Sequence, residues 1–121
     1  MIQSIMLDAL HSNLGRYLDL LSTRQKLVTA NIANADTPGY QTQDIDFQFE
    51  FISLVDGPGA GMAPQTIQPG GLKQKPDGNN VDLDREARLL AENAIRFNVA
   101  STLLRGEIKT VQQAIQGGGG V

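Results

Sequence analysis

Two pairs of closely spaced carboxylates are the first residues in this sequence that suggest chemistry. Asp44 and Asp46 form one pair, and Asp82 and Asp84 form the other. Two carboxylates can share the acid, base or nucleophile roles of glycoside hydrolysis. Each pair, however, stands at an expected turn or helix start. Acidic side chains there accept hydrogen bonds from backbone N–H groups and lie near the positive end of the helix dipole. We therefore interpret both pairs as turn and helix-start residues.

The other candidates for catalysis or binding are also weak. His11 is the single histidine and stands beside an apolar row, where a packing or surface role is expected. The glycine-rich residues 57–61 lack the Gly-Lys-Ser/Thr of a phosphate loop, and residues 77–80 lack the terminal Glu of a calcium loop. The absence of cysteine excludes disulfides and thiolate metal sites. The sequence predicts no enzyme, no cofactor, no metal and no small-molecule substrate.

Charge and hydropathy exclude further classes of protein. The chain has 121 residues and a formal net charge of -3, which argues against a general nucleic-acid binder. No apolar run approaches the ~20 residues that a membrane-spanning helix needs. The first ten residues lack a basic region and a small-residue cleavage site, so we expect no cleaved signal peptide.

The apolar residues from about Ser4 to Ala35 have helical spacing. Ser4 is the expected N-cap of this helix. The helix should stop at Thr37, because Pro38 disfavours helical dihedral angles in the residue before it and Gly39 permits a tight turn. One row recurs every seven residues and consists of Leu7, Leu14, Leu21 and Val28.

A second long helix is predicted from about Asp82 to Gln116. Its seven-residue apolar pattern extends over about five heptads, which is typical of a helix that coils around a partner helix. The first helix is the natural partner, but two helices would still leave much apolar surface exposed. We therefore expect helices from other chains to complete the packing. The main row consists of Leu83, Leu90, Phe97, Leu104 and Val111.

The residues between the two helices are harder to assign. Apolar and polar residues alternate over residues 45–51, which favours a strand with one buried face, although a short helix is also compatible. Residues 57–81 are rich in glycine and proline and predict a flexible loop. The glycines that follow residue 116 predict a disordered tail.

These predictions together describe a mainly α protein with two long terminal helices that form a coiled-coil-like hairpin. The expected order is an N-terminal helix over residues 1–36 and a turn with a short aromatic segment over 37–56. The flexible loop over 57–81, the C-terminal helix over 82–116 and the tail over 117–121 follow.

The stretch from Ala30 to Tyr40 is the most informative part of the sequence. Asn31 and Asn34 are three residues apart and share one face of the first helix. Asparagines beside an apolar seam can fix the register between helices at some cost in stability. A simple helix C-cap followed by a turn explains them equally well, and spacing alone does not decide between the two interpretations.

This stretch resembles the N-terminal signature of the bacterial flagellar axial family, which comprises the rod and hook proteins. The resemblance lies in Asn31-Ile32-Ala33-Asn34 followed by Thr37-Pro38-Gly39-Tyr40. It continues in Asp44-Ile45-Asp46-Phe47 and in the run from Asp77 to Glu86, which are similar to the small proximal rod members. The similar residues cover about 8–50 and 76–115, whereas the glycine-rich residues 57–71 and 117–120 have no counterpart.

The resemblance implies a structural protein that leaves the cytoplasm through the flagellar type III export apparatus and joins the hollow, helical drive shaft in the periplasm. The implied partners are copies of itself, other rod proteins, the export apparatus and the adaptor protein that joins the rod to the membrane ring. The two apolar rows would supply burial between subunits, and a short set would fix register: Asn31, Asn34, Thr37, Pro38, Gly39 and Tyr40.

An alternative function is compatible with the same heptads. A cytoplasmic helical adaptor or export chaperone would also use them to bind a partner helix. Fractionation distinguishes the two, because a rod component co-purifies with basal bodies.

Overall fold

A computed structural model of the chain describes residues 1–56 and 63–119, without the side chains of residues 54–56, 107, 111, 118 and 119. The fold is mainly helical, as the sequence predicts. Its elements are α1 (Ile2–Ala33), β1 (Asp44–Ile45), α2 (Phe47–Asp56), β2 (Thr66–Ile67) and α3 (Leu83–Gly119). With 32 and 37 residues, α1 and α3 are rods of about 48 and 55 Å.

The two long helices pack against each other in antiparallel orientation. Near one end, the Asn93 amide of α3 donates to the carbonyl of Leu21 over 3.5 Å and to the side chain of Gln25 over 3.3 Å. Nearer the other end, Leu10 of α1 lines the same groove as Leu103 of α3. Residue numbers therefore fall along α1 as they rise along α3.

The row that faces α1 within the chain is not the most apolar row of α3. Among the described side chains of α3, the buried ones are Glu86, Leu89, Asn93 and Ala100. The predicted row lies beside this seam, with Leu83, Leu90 and Phe97 exposed by 52%, 38% and 47%. Leu104 is half-buried, and the side chain of Val111 is not among the described residues' side chains. Within the chain, the most apolar row of α3 is therefore not the row that packs against α1.

The physical reason is that each polar member of the buried row has at least one polar partner within the fold. Asn93 bonds to α1, and Glu86 pairs with Arg85, so both groups tolerate burial. On α1 the predicted row is correct in its second half, where Leu21 and Val28 are each 1% exposed. Leu7 and Leu14 are only half-buried.

The predicted strand over residues 45–51 is wrong, because the chain becomes helical at Phe47. Asp46 begins α2: its carboxylate accepts the Phe49 N–H over 3.1 Å, as an N-cap does. Phe47 and Phe51 then lie on one helical face and pack edge-on against Tyr17, with ring centroids 5.5 and 5.4 Å away. Of residues 45–51, only Ile45 lies in a strand. That strand, β1, pairs with β2 in antiparallel register.

Helix ends also differ from the predictions. Helix α1 begins at Ile2 and is preceded by Met1, so Ser4 is inside the helix and is not its N-cap. Helix α3 continues three residues beyond the predicted end and includes the first glycines of the expected tail. The predicted loop over residues 57–81 contains β2, and its residues 57–62 lie outside the description. No helix in the described ranges is long and apolar enough to cross a membrane.

Candidate functional site: the asparagine clasp

The end of α1 is capped by the side chain and backbone of Asn34. Its N–H donates to the carbonyl of Ala30 over 3.0 Å, and its side-chain amide donates to the same carbonyl over 2.8 Å. Its side-chain oxygen accepts the Thr37 hydroxyl over 3.1 Å. These bonds satisfy groups that a helix terminus leaves free, so the C-cap interpretation of Asn34 is correct within the chain.

Thr37 to Tyr40, which begin three residues after Asn34, form a tight turn whose sequence explains its geometry. The Tyr40 N–H donates to the carbonyl of Thr37 over 3.2 Å and closes the turn around Pro38 and Gly39. Gly39 has a φ of 75°. Proline followed by a residue with positive φ is the signature of a type II turn, where glycine is favoured. The turn sends the chain back towards α1.

Asn31 ties the returning chain to α1. It is 1% exposed. Its side-chain oxygen accepts the Tyr40 hydroxyl over 2.9 Å and the Gln43 N–H over 3.0 Å, while its amide donates to the Gln43 carbonyl over 2.8 Å. A buried amide with its partners in place fixes one arrangement of the surrounding chain.

Asn79 joins the same site from far away in the sequence. It is fully buried, and its amide donates to the carbonyls of Asn34 and Thr37 over 2.9 Å each. Its side-chain oxygen accepts the Val81 N–H over 2.8 Å. One side chain thus connects the end of α1, the turn and the segment that leads into α3.

Asn80 makes a second set of connections beside it. Its side-chain oxygen accepts the Thr42 N–H over 2.6 Å, and its carbonyl accepts the Thr42 hydroxyl over 3.2 Å. Its own N–H donates to the Tyr40 carbonyl over 3.2 Å. We call the four residues Asn31, Asn34, Asn79 and Asn80 the asparagine clasp.

A close backbone contact between two turns completes the clasp. Gly78 has a φ of 88°, and the Gly39 N–H donates to the carbonyl of Asp77 over 2.9 Å. A Cβ on Gly78 would lie 3.3 Å from the Cα of Gly39. The two turns can approach this closely because Gly78 has no side chain.

A buried group of charges lies beside the clasp and joins α1, β1 and α3. Asp44 accepts bonds from Arg24 Nε and Nη2 over 3.2 and 3.1 Å, and a further bond from Arg85. Arg85 also donates to Glu86 over 2.8 Å. Two arginines and two carboxylates balance in charge, which is the condition for burying ions at tolerable cost. We call these four residues the ionic group.

The ionic group also affects Tyr40. Burial raises the pKa of the Tyr40 phenol above its usual value, and the negative charge of Glu86 raises this pKa further. Glu86 is itself fully buried, and its Oε2 atom has no hydrogen-bond partner among the described residues. Tyr40 therefore remains a neutral hydrogen-bond donor to Asn31 at physiological pH.

The arrangement is suited to holding backbone segments together rather than to catalysis. Its asparagine side chains bond mostly to backbone groups, and its arginines bond to the carboxylates of Asp44 and Glu86. Across residues 1–56 and 63–119, no three His, Asp or Glu side chains are grouped closely enough to hold a metal ion. The carboxylates considered for hydrolysis have other partners: Asp44 binds two arginines, and Asp82 accepts backbone N–H groups at the start of α3.

The structure brings together only part of the predicted site. Asn31, Asn34, Thr37 and Tyr40 bond to one another, whereas Pro38 and Gly39 are exposed in the turn. The two apolar rows run along α1 and α3 rather than through the turn. Asn79, Asn80 and the ionic group were not predicted as site residues, although the run from Asp77 to Glu86 that carries the resemblance contains several of them.

Comparison with known proteins gives the clasp its context. The family model described as flagella basal body rod protein matches residues 18–41, which include Asn31, Asn34 and the turn. The flagellar basal body rod protein FlgB of Yersinia ruckeri is 36% identical over an alignment covering 84% of this chain and 89% of that protein. The chain belongs to the FlgB family of flagellar basal body rod proteins. Members of this family are structural proteins and not enzymes.

More distant FlgB proteins are similar over most of the chain. FlgB of Escherichia coli K12 is 34% identical, with 93% of this chain and 99% of that protein covered. FlgB of Bacillus subtilis is 29% identical, with 88% and 92% covered. The protein is thus a structural component of the flagellar basal body rod, and the asparagine clasp is the part of this FlgB-family chain that closes its two long helices at one end.

Proposed function

We propose that this protein is a rod subunit whose helices are completed by neighbouring subunits in the hollow drive shaft. The observation that carries the proposal is the outward apolar surface of α1 and α3. Ile2, Ile5 and Met6 of α1 are 75%, 68% and 65% exposed, and Ile95 and Leu103 of α3 are 65% and 56% exposed. Exposed apolar surface of this extent is typical of an interaction site.

The burial also decreases with distance from the clasp. Leu21 and Val28 of α1 and Ala35 just beyond its end are buried, whereas residues 1–6 and 8–12 are all exposed. On α3, Ala100 is the last residue described as buried. The buried residues are therefore concentrated towards the clasp end, and the opposite ends of both helices offer the surface that other subunits would cover.

The exposed row on α3 is suited to be the intersubunit seam. Leu83, Leu90 and Phe97 repeat every seven residues and lie beside the intrachain seam, so a helix from a neighbour could pack there in coiled-coil fashion. The register between neighbouring subunits would depend on Asn31, Asn34 and the turn from Thr37 to Tyr40, because these residues hold α1 and α3 in one arrangement. The exposed Thr37, Pro38 and Gly39 are the clasp-side residues a neighbour could touch.

Export and location follow from the same proposal. The chain would pass unfolded through the flagellar type III export apparatus, for which a small core without disulfides is favourable. It would then assemble in the periplasm with copies of itself, with other rod proteins and with the adaptor that joins the rod to the membrane ring.

The experiment places charge on the proposed seam. Leu90→Asp combined with Phe97→Asp is introduced into cells lacking the native protein, and Thr102→Asp serves as the control because Thr102 is exposed and lies outside the row. We expect the double variant to keep its helical circular dichroism but to give no basal-body rods and no motility, while the control is motile. Normal rods in the double variant would contradict the seam.

A further inference from the structure

Residues 68–82, between β2 and α3, form a loop whose two ends are anchored at one residue. At the β2 end, Ile67 pairs with Asp44 in the antiparallel ladder. At the α3 end, Arg85 donates to the carboxylate of the same Asp44. A segment that leaves one place in the fold and returns to it has the arrangement of an Ω-loop. We call residues 68–82 the strap.

The middle of the strap, residues 74–80, has hydrogen bonds of its own, and we call it the tip. The Lys75 N–H donates to the carbonyl of Asn79 over 2.8 Å, and the Gly78 N–H donates to the carbonyl of Lys75 over 2.9 Å. The Asn79 N–H donates to the carboxylate of Asp77 over 3.0 Å. Because these bonds lie within the tip, they do not depend on contact with α1. The tip can therefore keep its shape when it separates from the rest of the clasp.

The tip is attached to the turn that follows α1 by polar contacts. The Gly39 N–H donates to the carbonyl of Asp77 over 2.9 Å, and the Asn80 N–H donates to the carbonyl of Tyr40 over 3.2 Å. The side-chain oxygen of Asn80 accepts the Thr42 N–H over 2.6 Å. Water can replace the partner in each of these bonds when the tip lifts, so the net free energy that each bond contributes is small.

The packing of α1 on α3 rests on different residues and on apolar burial. Of residues 68–82, only Asn79 and Val81 are buried, and Val81 lies outside the tip. On the two long helices, by contrast, Leu21 and Leu89 are 1% and 5% exposed. Undoing apolar burial is costly because it returns apolar surface to water. Lifting the tip therefore costs far less free energy than separating the helices.

Both ends of the strap allow such a movement. Gly70 and Gly71 precede the tip and are exposed, and nothing lies within 4 Å of a Cβ added at either position. Glycine has the widest choice of backbone angles, which suits a hinge. At the other end, the Asp82 carboxylate accepts the N–H groups of Asp84 and Arg85. The start of α3 is therefore capped without any bond from the tip.

We infer that the strap is a lid whose tip opens and closes over the turn as one unit while α1, β1 and α3 stay packed. Opening would uncover the carbonyls of Asn34 and Thr37, to which Asn79 donates, together with the N–H groups of Gly39 and Thr42. Segments with little apolar burial are those that open without global unfolding. The motion belongs to the single chain and does not depend on the proposed intersubunit seam.

Hydrogen exchange of the full-length chain, followed for each amide by NMR between 0 and 1 M urea, tests the lid. Gly39, Thr42 and Asn80 report on the tip, whereas Gln43, whose N–H bonds to α1, and Leu21 report on the packed helices. Relative to intrinsic rates, we expect the tip amides to exchange at least tenfold faster than the helix reporters. Their rates should change less than twofold with urea, because opening exposes little surface, while the reporters accelerate about tenfold.

A substitution in the packed helices separates local opening from global unfolding. Val28 is 1% exposed and stays packed whether the lid is open or closed. Val28→Ala should therefore accelerate exchange at Gln43 and Leu21 about tenfold, because it lowers the free energy of global unfolding, and change the tip amides less than twofold. Asn98→Ala, at an exposed position of α3, is the control and should change neither set.

Two results would overturn the lid. If the tip amides share the rate and the urea dependence of Gln43 and Leu21, the clasp opens only when the whole chain unfolds. If Gln43 exchanges together with the tip amides at a rate independent of urea, the turn opens as well and the strap is not the moving unit. The urea series on the native chain decides between these results and the lid even if Val28→Ala does not fold.

Discussion

The side-chain amide of Asn79 donates to the backbone carbonyl of Asn34, 45 residues earlier in the chain, over 2.9 Å. Asn34 ends α1, and Asn79 stands four residues before Leu83, the first residue of α3. Both helices are therefore held at the same end by a buried polar group. This contact explains why the helices leave the clasp side by side while their opposite ends are exposed.

Asn79 should be the most sensitive clasp residue. Asn79→Ala removes three side-chain bonds and leaves the Val81 N–H, which is buried, without an acceptor. We expect the free energy of unfolding to fall by about 2–4 kcal/mol, as judged by urea denaturation. Asn98→Ala, at an exposed position of α3, should change stability by no more than about 0.5 kcal/mol. Equal losses for the two variants would contradict the clasp.

The contact between the two turns predicts a difference between two glycines. Gly71 and Gly78 have φ values of 77° and 88°, so alanine is strained at either position. Only at Gly78 does the added Cβ meet the backbone of Gly39; at Gly71 nothing lies within 4 Å. We expect Gly78→Ala to lower the thermal midpoint clearly more than Gly71→Ala. The prediction fails if Gly71→Ala is the more damaging change.

Asp44 should be essential to the packing of α1 on α3. Asp44→Ala leaves Arg24 without the carboxylate that it binds and removes one partner of Arg85, while both guanidinium groups stay largely buried. Breaking a buried pair in this way costs about 3–5 kcal/mol. Asp36→Ala removes an exposed carboxylate and should be nearly neutral. Urea denaturation of both variants at neutral pH makes the comparison.

Tyr40 predicts how stability changes at high pH. Because burial and Glu86 raise its pKa in the folded protein, the folded state retains the phenol proton above pH ~10, where the unfolded state loses it. The stabilisation is fully present below pH ~10 and is lost as the pH rises through the raised pKa. Relative to Tyr40→Phe, the native chain should therefore lose unfolding free energy as the pH rises above ~10 and through the raised pKa. A constant difference across this range would show that the pKa of Tyr40 is the same in the folded and unfolded states.

Two leucines distinguish the intrachain core from the outward row. Leu21 is 1% exposed and Leu90 is 38% exposed. Leu21→Ala should cost about 2–5 kcal/mol of folding stability, whereas Leu90→Ala should cost less than half as much as Leu21→Ala in the purified chain. In cells, Leu90→Ala should nevertheless reduce rod assembly. The denaturation midpoints and the yield of basal bodies check the two parts separately.

The sequence by itself determined the helical class, the position of the turn and the family. Pro38 and Gly39 stop α1 through local backbone sterics, which act in the same way in any tertiary context. The seven-residue repeats predict two long helices because their period depends only on helix geometry. The asparagine motif and the run from Asp77 to Glu86 carry the resemblance that the FlgB relatives confirm.

Only the tertiary structure decided which row faces inward and which residues meet Asn31 and Asn34. The sequence favoured the most apolar row of α3 for packing, but the row that faces α1 contains Glu86 and Asn93. Asn93 bonds to α1, and Glu86 pairs with its neighbour Arg85, whose other partner is Asp44. The same limit explains residues 45–51, where an alternating pattern is compatible with both a strand and a helix. Contact with Tyr17 favours the helix, because it requires Phe47 and Phe51 on one face. Local sequence fixes dihedral preferences and periods, whereas the burial of a polar group depends on partners that only the folded chain brings near.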